Sequence, residues 1–360
     1  MIEENVKRNS VGIDTGKHFL DVCRITSENK KERNKFKTDA PGLKDLICWL
    51  KKKDLIVLET GNQAFRLAKM LIKAGFEETY VLNAGELANI YNSLKKTDKE
   101  DALKLARLAA RIPIEELPTV SIPSDNEEDA RNLLKEQEFW AQQISLYKNK
   151  LHSIFVHSGI TCIKKKDLSN KKNRGECLQY LEEKHVEQAK RICKFIDQHE
   201  DEMEIIDAKI VEMLKIEPAI TSIAMSMTGI GPINALALFA YLGDCSRFSS
   251  GKQVGYYAGV VPRVDISGDT VRYGKITKKG VHQLRRTMIQ GAWSCVRSKN
   301  GGSVKLFYEN LAPRIGKKKA IVAAARKMLE IYYAMVKSGE YYRGTCEGFL
   351  EKKLRHYKVA

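Results

Sequence analysis

The sequence predicts a mixed α/β domain at the start of the chain and mainly helical domains after it. Two observations support this fold class. Three consecutive strand candidates precede alternating helix and strand candidates, and beyond residue 125 apolar residues recur every three or four positions. At roughly 100 to 200 residues per domain, 360 residues correspond to two or three domains. We place them at residues 1–125, 126–217 and 218–343, with a C-terminal tail at 344–360.

The composition is that of a folded protein that binds polyanions. Lys and Arg number 62 against 45 Asp and Glu, which gives a formal net charge of +17, and 43% of the residues are hydrophobic. This excess attracts phosphate backbones or anionic membranes, and the apolar content argues against disorder. We find no apolar run long enough to span a membrane and no signal-peptide core, so we expect a cytoplasmic protein without a membrane partner. Eight scattered cysteines predict reduced thiols.

The strand candidates of residues 1–125 form a meander before the first helix. They are VGIDTGK, HFLDVCRIT and the alternating segment ERNKFKT. The following elements alternate: a helix from Pro41, the buried strand DLIVLET, a helix closed by Gly75, the strand TYVLN and a helix over TDKEDALKLARLAAR. Three strands followed by this alternation predict a mixed sheet.

Residues 126–217 predict two long charged helices, at about 126–158 and 176–215. The segment between them, GITCIKKKDLSNKKNRG, has six cations against one Asp, so the helices form a hairpin with a basic tip. The heptad pattern is imperfect. It is compatible both with packing of the two helices against each other and with a dimerising coiled coil.

Residues 218–343 predict a basic, mainly helical domain. Between Tyr241 and Asn300, eleven Lys or Arg accompany three Asp and no Glu. The helix candidates are MTGIGPINALALFAYLG, VHQLRRTMIQGAWSCV and KKKAIVAAARKMLEIYYAMVKSG. The segment from Thr228 to Pro232 is typical of a helix-hairpin-helix turn whose backbone N–H groups approach a phosphate, and equally of a tight turn before a buried helix.

Four acidic residues of the first domain are candidates for a shared metal site. Asp14 and Glu59 each end an apolar strand, while Asp98 and Asp101 lie three residues apart at a helix start. Neighbouring strand ends would bring the first two carboxylates together, and their repulsion requires a divalent cation between them. Oxygen ligands favour Mg²⁺ or Mn²⁺, and two such ions about 4 Å apart activate a nucleophile and stabilise a leaving oxygen. The order of these acids reproduces the layout of the ribonuclease-H-like nuclease fold.

Three segments around these acids, GIDTGKHFLDV, VLETG and LKKTDKEDALKLA, resemble the blocks of the RuvC-like DEDD domain in the IS110 family of insertion-sequence transposases. The segment from MTGIGP to MIQGA is similar to the C-terminal transposase domain of that family, so the resemblance covers most of the chain. It implies that Asp14, Glu59, Asp98 and Asp101 are metal ligands. It also implies that Ser267, in VPRVDISG, is the nucleophilic serine of the C-terminal domain.

Without the resemblance, Ser267 would be interpreted as a turn residue, and Ser249 and Ser250 are rival candidates in the same domain. A serine hydroxyl at its free pKa is a poor nucleophile and needs a base or a metal, which the composite site of the family supplies. The cations near Ser267 could hold a scissile phosphate; they are Arg263, Arg272, Lys275, Lys278 and Lys279.

The resemblance implies an RNA-guided DNA transposase or recombinase that cleaves and exchanges strands through a phosphoserine–DNA intermediate. Its implied partners are donor and target DNA, a structured non-coding bridge RNA, and other copies of the chain. These copies form homodimers that assemble into a homotetramer, in which the DEDD domain of one subunit faces the serine domain of another. The helical hairpin is the expected dimer contact.

The residues themselves leave two other functions open. A RuvC-like nuclease would hydrolyse nucleic acid with metal-bound water and would not need Ser267. A non-catalytic nucleic-acid scaffold would use its acidic cluster structurally. A sugar kinase also begins with a strand ending in Gly-Ile-Asp-x-Gly, but we find no second phosphate loop, and a kinase would leave the basic C-terminal domain unexplained.

Overall fold

In the computed structural model, the chain divides into two compact units, Met1–Ser124 and Asp125–Ala360. The structure describes residues 8–61, 63–90, 98–267, 270–344 and 348–359, and at 88–90, 98 and 99 it describes the backbone alone. The hairpin segment and the C-terminal segment, which we expect from the sequence to be separate domains, both lie in the second unit.

The first unit contains a mixed sheet. Its elements are β1 (Ser10–Thr15), β2 (Phe19–Ile25), β3 (Lys31–Lys37), α1 (Ala40–Trp49), β4 (Leu55–Glu59), α2 (Ala64–Lys73), β5 (Thr79–Leu82), α3 (Ala84–Ile90), α4 (Asp98–Arg111) and β6 (Thr119–Val120). The described strands are arranged in the order β3-β2-β1-β4-β5-β6. β1, β4 and β5 are parallel, while the β1–β2, β2–β3 and β5–β6 pairs are antiparallel. The predicted meander and mixed sheet are confirmed.

Alternation of side chains along the central strands gives the sheet two buried faces. Val11 and Ile13 of β1 pack with Leu46 of α1 and Leu67 of α2 on one face. On the other face, Val57 of β4 joins a cluster with side chains of α4. The strands at the centre of the sheet are therefore covered on both sides, which explains their nearly continuous apolar sequences.

Gly12 allows α4 to lie directly on the backbone of β1. A Cβ atom at this position would be 2.1 Å from the carbonyl oxygen of Ala102 and 2.5 Å from the backbone nitrogen of Ala106. Both distances are far shorter than van der Waals contact, so any larger residue would displace the helix. The close approach fixes the start of α4, with Asp98 and Asp101, relative to the end of β1.

The second unit is mainly helical. Its elements are α5 (Asp125–His157), α6 (Lys171–Cys177), α7 (Glu183–Leu214), α8 (Pro218–Ser226), α9 (Pro232–Leu242), α10 (Gly251–Tyr257), β7 (Pro262–Ser267), β8 (Thr270–Ile276), α11 (His282–Arg297), α12 (Gly302–Ile315), α13 (Lys317–Ser338) and α14 (Phe349–His356). None of the described helices is long and apolar enough to cross a membrane. The seven cysteines that the structure describes are free thiols, as predicted.

The helices α5 and α7 form the predicted hairpin, but the second helix begins at Glu183, not near residue 176. The expected start is wrong because Leu181 turns into a small core at the tip, together with Phe155 and Leu168. The backbone at Leu181 is extended, which ends the preceding turn before α7 begins.

The apolar seam of the hairpin is used within the molecule. Leu151 of α5 packs in one cluster with Ile192 and Ile196 of α7. At the base of the hairpin, Leu133 and Ile206 join the core formed by the C-terminal helices. The heptad pattern was compatible with packing of the two helices against each other and with a dimerising coiled coil. The apolar seam packs within one molecule.

Candidate active site

Asp14 and Glu59 lie side by side at the ends of two neighbouring parallel strands. In the register of β1 and β4, Ile13 pairs with Leu58, so the next residues, Asp14 and Glu59, are level. Neighbouring strands are about 4.8 Å apart, and side chains at one level point to the same face of the sheet. That face is the one covered by α4, because Gly12, two residues before Asp14, faces the backbone of that helix.

A third carboxylate, which the sequence analysis did not identify, continues this row. Asp21 of β2 pairs directly with Asp14 across the antiparallel β1–β2 pair. Its side chain is 8% exposed, and one of its carboxylate oxygens lies 3.5 Å from the Nζ of Lys35 on β3. Across β3, β2, β1 and β4 the row thus consists of one cation, Lys35, followed by three carboxylates. These are Asp21, Asp14 and Glu59. The signal in the sequence was an Asp inside the apolar strand segment FLDVC.

The loops at this end of the sheet are tied together by one side chain. Gln63, just before α2, donates hydrogen bonds from Nε2 to the carbonyl oxygens of Gly16 at 3.2 Å and Lys17 at 3.3 Å. Both acceptors belong to the turn that follows β1. The turn after Asp14 and the loop after Glu59 are therefore held in a common arrangement.

Asp101 lies on the first turns of α4, where its Oδ1 accepts an ion-paired hydrogen bond of 2.5 Å from the Nζ of Lys104. Asp98 is the first residue of α4, but its side chain lies outside the described residues. Among the side chains that the structure describes, no three His, Cys, Asp or Glu are grouped closely enough to hold a metal ion. The donor chemistry of the row nevertheless fits Mg²⁺ or Mn²⁺, because both prefer carboxylate oxygens.

Ser267 ends β7 in an exposed two-stranded hairpin, a structure that the sequence analysis missed in favour of a turn in a helical domain. It pairs with Thr270 of β8. Side chains of β7 and β8 from 263 to 267 and from 270 to 275 are exposed. The alternating β-branched residues of VPRVDISGDTVRYGKI were the signal for this hairpin.

Two of the predicted phosphate-binding cations lie on the same face of the hairpin as Ser267. Arg272 pairs with Asp265, two residues before Ser267. The ideal Cβ of Gly274 would be 3.6 Å from the Cβ of Arg263, which puts Arg263 on this face as well. Of the other predicted cations, Lys275 is exposed on β8, and Lys278 and Lys279 are exposed between β8 and α11.

The base of the hairpin is fixed to the helical core. The backbone N–H of Thr277 donates to the carbonyl of Val261 at 2.9 Å, and Lys278 donates to that of Gly259 at 3.3 Å. Gly280 has φ +125°, and a Cβ there would be 2.2 Å from the carbonyl oxygen of Tyr257. The hairpin therefore projects from a rigid base.

The rival serines have local structural roles. Ser250 caps the N-terminus of α10, where its Oγ accepts a hydrogen bond from the backbone nitrogen of Gln253. Ser249 donates from Oγ to Oε1 of the same glutamine at 3.2 Å. The cap explains Ser250, and the hydrogen bond to Gln253 explains Ser249, without a role for either in chemistry.

The segment from Thr228 to Pro232 does connect two helices, α8 and α9, and Gly229 within it allows close packing. A Cβ on Gly229 would be 2.4 Å from the carbonyl oxygen of Gly291 on α11. Beside this turn, the Nζ of Lys353 on α14 donates to the carbonyls of Met225 and Met227 at 2.7 and 2.8 Å. Burial lowers the pKa of Lys353 to about 8.

Two family models match the chain. A transposase model for the DEDD domain of IS110 elements matches residues 11–158, and a model described as the transposase IS116/IS110/IS902 family matches residues 221–309. The first covers the carboxylate row and the second covers the serine hairpin.

Several curated relatives are similar to the chain, two of them along most of their length. A pilin gene-inverting protein of Moraxella lacunata is 25% identical over 345 residues, covering 92% of this chain and 97% of that protein. A probable family 20 transposase of Pseudomonas aeruginosa is 23% identical over 344 residues, with 92% and 94% covered. The transposase for insertion sequence element IS1111A of Coxiella burnetii is 35% identical over 120 residues, a third of each chain.

Proposed function

The chain belongs to the IS110 family of insertion-sequence transposases, and from this premise we propose that it cleaves and rejoins DNA with a serine nucleophile and a carboxylate metal site. Transposition of an insertion sequence is a DNA recombination reaction, so DNA is the substrate. The observation that carries the proposal is the level pairing of Asp14 and Glu59 on neighbouring parallel strands, on the face covered by α4.

The metal ligands in this proposal are Asp14, Glu59, Asp98 and Asp101. Bound Mg²⁺ or Mn²⁺ would offset the negative charge of the scissile phosphate and make a nearby hydroxyl more acidic. The protein contributes a row of carboxylates, and a bound divalent cation would offset their mutual repulsion. The hydrogen bonds from Gln63 to the turn after β1 hold the ends of β1 and β4 in position to bind the metal ion.

Ser267 is the nucleophile in this proposal. Its Oγ bonds to the scissile phosphorus while one phosphorus–oxygen bond to a deoxyribose breaks, and the departing deoxyribose oxygen takes up one proton as the serine loses one. Arg263 and Arg272, on the face of Ser267, hold the phosphate by charge-assisted hydrogen bonds. The number of phosphoester bonds does not change, so a deoxyribose hydroxyl of another strand can attack the phosphoserine and rejoin DNA without an energy source.

A structured non-coding RNA is the proposed guide for donor and target choice. The net charge of +17 supports this proposal, because DNA and RNA must be bound together. At the tip of the helical hairpin, Lys164, Lys165 and Lys166 are exposed beside a small packed core. They are therefore presented on a folded surface, not on a free chain.

Homodimers that pair into a homotetramer are the proposed assembly, with the helical hairpin as the dimer contact. A groove between α5 and α7 has Leu146 and Phe195 among its lining residues. These two side chains are 56% and 45% exposed, although the seam beneath them is packed. Large apolar side chains exposed on a long hairpin are typical of a protein–protein contact.

The test of the serine is a Ser267→Ala variant assayed on labelled DNA. We expect loss of the covalent protein–DNA adduct and of strand joining, with Mn²⁺ binding retained. Ser249→Ala is the matched control and should form the adduct normally. Metal-dependent nicking that persists in Ser267→Ala would instead favour the hydrolytic nuclease.

The test of the metal site measures the shift in melting temperature on addition of Mn²⁺. Asp14→Asn and Glu59→Gln should abolish this shift, whereas Glu116→Gln, an exposed acid of the same unit, should keep it. Unchanged strand exchange in Asp14→Asn would support a purely structural acidic cluster. RNA guidance is contradicted if protein expressed with the DNA flanking its gene purifies without bound RNA.

A further inference from the structure

Arg285, near the start of α11, carries a buried charge without a carboxylate partner. The residue is 9% exposed, although arginine stays protonated in proteins. Its Nη1 donates to the carbonyl oxygen of Ala258 at 3.0 Å, and this is the one hydrogen bond of the side chain within the described part of the chain. Burial lowers the pKa of Arg285, with no contribution from a charge elsewhere in the described residues. A buried cation without a counter-charge is costly, so this position favours an anionic ligand.

The other two arginines that are buried among the described residues do have carboxylate partners. Arg24 pairs with Asp54 at 2.9 Å, and Arg174 pairs with Glu200 at 2.5 Å. Arg285 therefore differs from these arginines in lacking a partner of opposite charge, not in being buried.

The unused edge of the Arg285 guanidinium is open to solvent. Its Nε and Nη2 donate no hydrogen bond to the residues that the structure describes, and neither atom is sealed from solvent, unlike the Nε of Arg174. These two N–H groups form the fork that binds two oxygens of one phosphate side by side. A phosphate can therefore reach the guanidinium without displacing a protein partner.

The start of α11 adds positive potential at the same place. A Cβ built on Gly259 would be 2.7 Å from the Nη1 of Arg285 and 2.6 Å from the carbonyl oxygen of Lys279, so the guanidinium lies against the loop before α11. Helix side chains lean towards the N-terminus, where the backbone N–H groups of the first turn have no helical acceptor. The N-cap residue, Val281, provides no side-chain cap, and the first turn has no acidic residue. The helix end and the guanidinium thus attract an anion together.

The charged groups around this position leave it basic. Lys278 and Lys279 are exposed on the loop that contacts Arg285. One carboxylate of α5 reaches the start of α11, that of Glu138, but it is paired with Arg286 and accepts a hydrogen bond from Gln283. The excess of positive charge beside Arg285 is therefore available to an external anion.

The position of Arg285 separates it from the chemistry of Ser267. Arg285 lies at the base of the β7–β8 hairpin, beside Gly259, whereas Ser267 ends β7. The strand from Pro262 to Ser267 is about 17 Å long at 3.4 Å per residue. A phosphate at Arg285 is thus a different one from the phosphate that Ser267 would attack. A DNA backbone carries one phosphate per nucleotide, so a single DNA molecule can occupy both positions.

We propose that Arg285, the first turn of α11, Lys278 and Lys279 bind a phosphate of the DNA backbone that lies several nucleotides from the scissile phosphate. This site anchors DNA on the rigid base of the hairpin, whose end carries Ser267. The inference rests on the DNA substrate of the proposed function but not on its serine chemistry. It assigns Lys278 and Lys279 to this second phosphate instead of the scissile one.

The experiment scans the DNA with single methylphosphonate linkages, each of which replaces one charged phosphate oxygen by a neutral methyl group. Fluorescence anisotropy measures the affinity of the full-length chain for each DNA, with RNA present if it co-purifies. We expect one linkage, away from the scissile phosphate, at which the replacement lowers the affinity of the wild type at least fivefold. Arg285→Met should bind unmodified DNA more weakly by a similar factor, and the replacement at that linkage should then have no further effect.

Arg131→Met is the matched control. Arg131 is a partly buried arginine that also donates to a carbonyl near the end of a helix, that of Ala240 at 2.7 Å. This variant should keep the wild-type response to every linkage. A second variant, Lys278→Met with Lys279→Met, changes exposed positions only and keeps the test decisive if Arg285→Met does not fold. Its DNA affinity should depend less steeply on salt, and its response at the sensitive linkage should be smaller than that of the wild type.

Two results of the scan would overturn the inference. One is a response of Arg285→Met and of the double lysine variant that equals the wild-type response at every linkage. The other is sensitivity at the scissile phosphate alone. A further measurement compares the melting temperatures of the wild type and Arg285→Met in inorganic phosphate and in chloride at equal ionic strength. A phosphate-induced rise that needs Arg285, without a sensitive DNA linkage, would mean that the site takes a free phosphate compound and not DNA.

Failure of this inference and failure of the proposed function give different results. If Ser267→Ala still forms the adduct while the sensitive linkage depends on Arg285, the nucleophile is wrong and the phosphate site stands. If the adduct requires Ser267 but no linkage depends on Arg285, the chemistry stands and the phosphate site is wrong.

Discussion

Asp21 lies directly opposite Asp14 across the antiparallel β1–β2 pair, and both carboxylates point to the face of the sheet that α4 covers. Asp21 is nearly buried and its charge is offset by Lys35, with 3.5 Å between the carboxylate and Nζ. Asp14 is thus flanked by carboxylates on both neighbouring strands. The negative potential at Asp14 therefore depends partly on Asp21, which is not itself an expected ligand.

The first prediction concerns Asp21. Asp21→Asn removes one negative charge beside Asp14, so Mn²⁺ affinity should fall by roughly 10-fold, less than in Asp14→Asn. Lys35→Met removes the compensating cation and should raise Mn²⁺ affinity. Isothermal titration calorimetry measures the Mn²⁺ affinity of both variants. Unchanged affinity in Asp21→Asn would show that Asp21 serves the fold alone.

A second prediction concerns the contact between β1 and α4. Gly12→Ala places a Cβ atom against the backbone of Ala102, which cannot move without shifting the helix. We expect the first unit to lose about 3 kcal/mol of stability, the upper range for overpacking, and Mn²⁺ binding to weaken because Asp101 is displaced.

The control for this prediction is Gly85→Ala. The nearest atom to a Cβ at position 85 is the Asn83 Oδ1, at 3.4 Å, and the residue lies within α3. Alanine is the better helix former, so this variant should be neutral or slightly stabilising. Thermal unfolding measures the stability of both variants. If Gly12→Ala were as stable as the wild type, the close contact between β1 and α4 would not limit the size of residue 12.

The parts of the site that could be predicted from the sequence are those that local patterns specify. Asp14 and Glu59 both end apolar runs that predict strands, so the two residues are close once these strands are neighbours in the sheet. Asp21 was missed because its importance arises from register, a long-range property that pairs it with Asp14. The start of α7 was misplaced because a small core at the tip draws in Leu181, and periodicity does not distinguish that core from a continued helix.

The β7–β8 hairpin was missed for a different reason. Its apolar residues alternate as in a strand, but they are exposed, so the pattern does not correspond to a buried face. Expecting a helical domain, we interpreted Ser267 as part of a turn. The structure places it at the end of a strand instead, with Arg272 on the same face.

A third prediction concerns the groove on the helical hairpin. Leu146→Glu puts a charge into an apolar contact between copies, so the fraction of dimer should fall at least tenfold at micromolar concentration. Lys135→Glu, at an exposed position of the same helix, is the control and should dimerise normally. Analytical ultracentrifugation measures both. A monomeric wild type, or equal dimerisation of the two variants, would exclude this groove as the dimer contact.

The last prediction concerns the docking of α14 and has a defined pH dependence. Burial lowers the pKa of Lys353 to about 8 in the folded chain, whereas an exposed lysine has a pKa of about 10.4. Between these values the unfolded chain binds more protons than the folded chain, so the stability contributed at this position rises with pH. Relative to Lys353→Met, the wild type should therefore gain stability as pH increases from about 8 to 10, and the difference should be constant below pH 7.

Urea unfolding at several pH values, followed by tryptophan fluorescence, measures this difference. Lys352→Met provides the control, because Lys352 is exposed on the same helix and its removal should leave the pH profile unchanged. Burial raises the pKa of the Cys295 thiol to about 11 although the charge of Lys353 opposes that rise, so this thiol stays mostly protonated in both folded proteins over the pH range compared. A difference that stays constant over this range would mean that the ammonium of Lys353 stays charged in the folded chain, held by its hydrogen bonds to the carbonyls of Met225 and Met227.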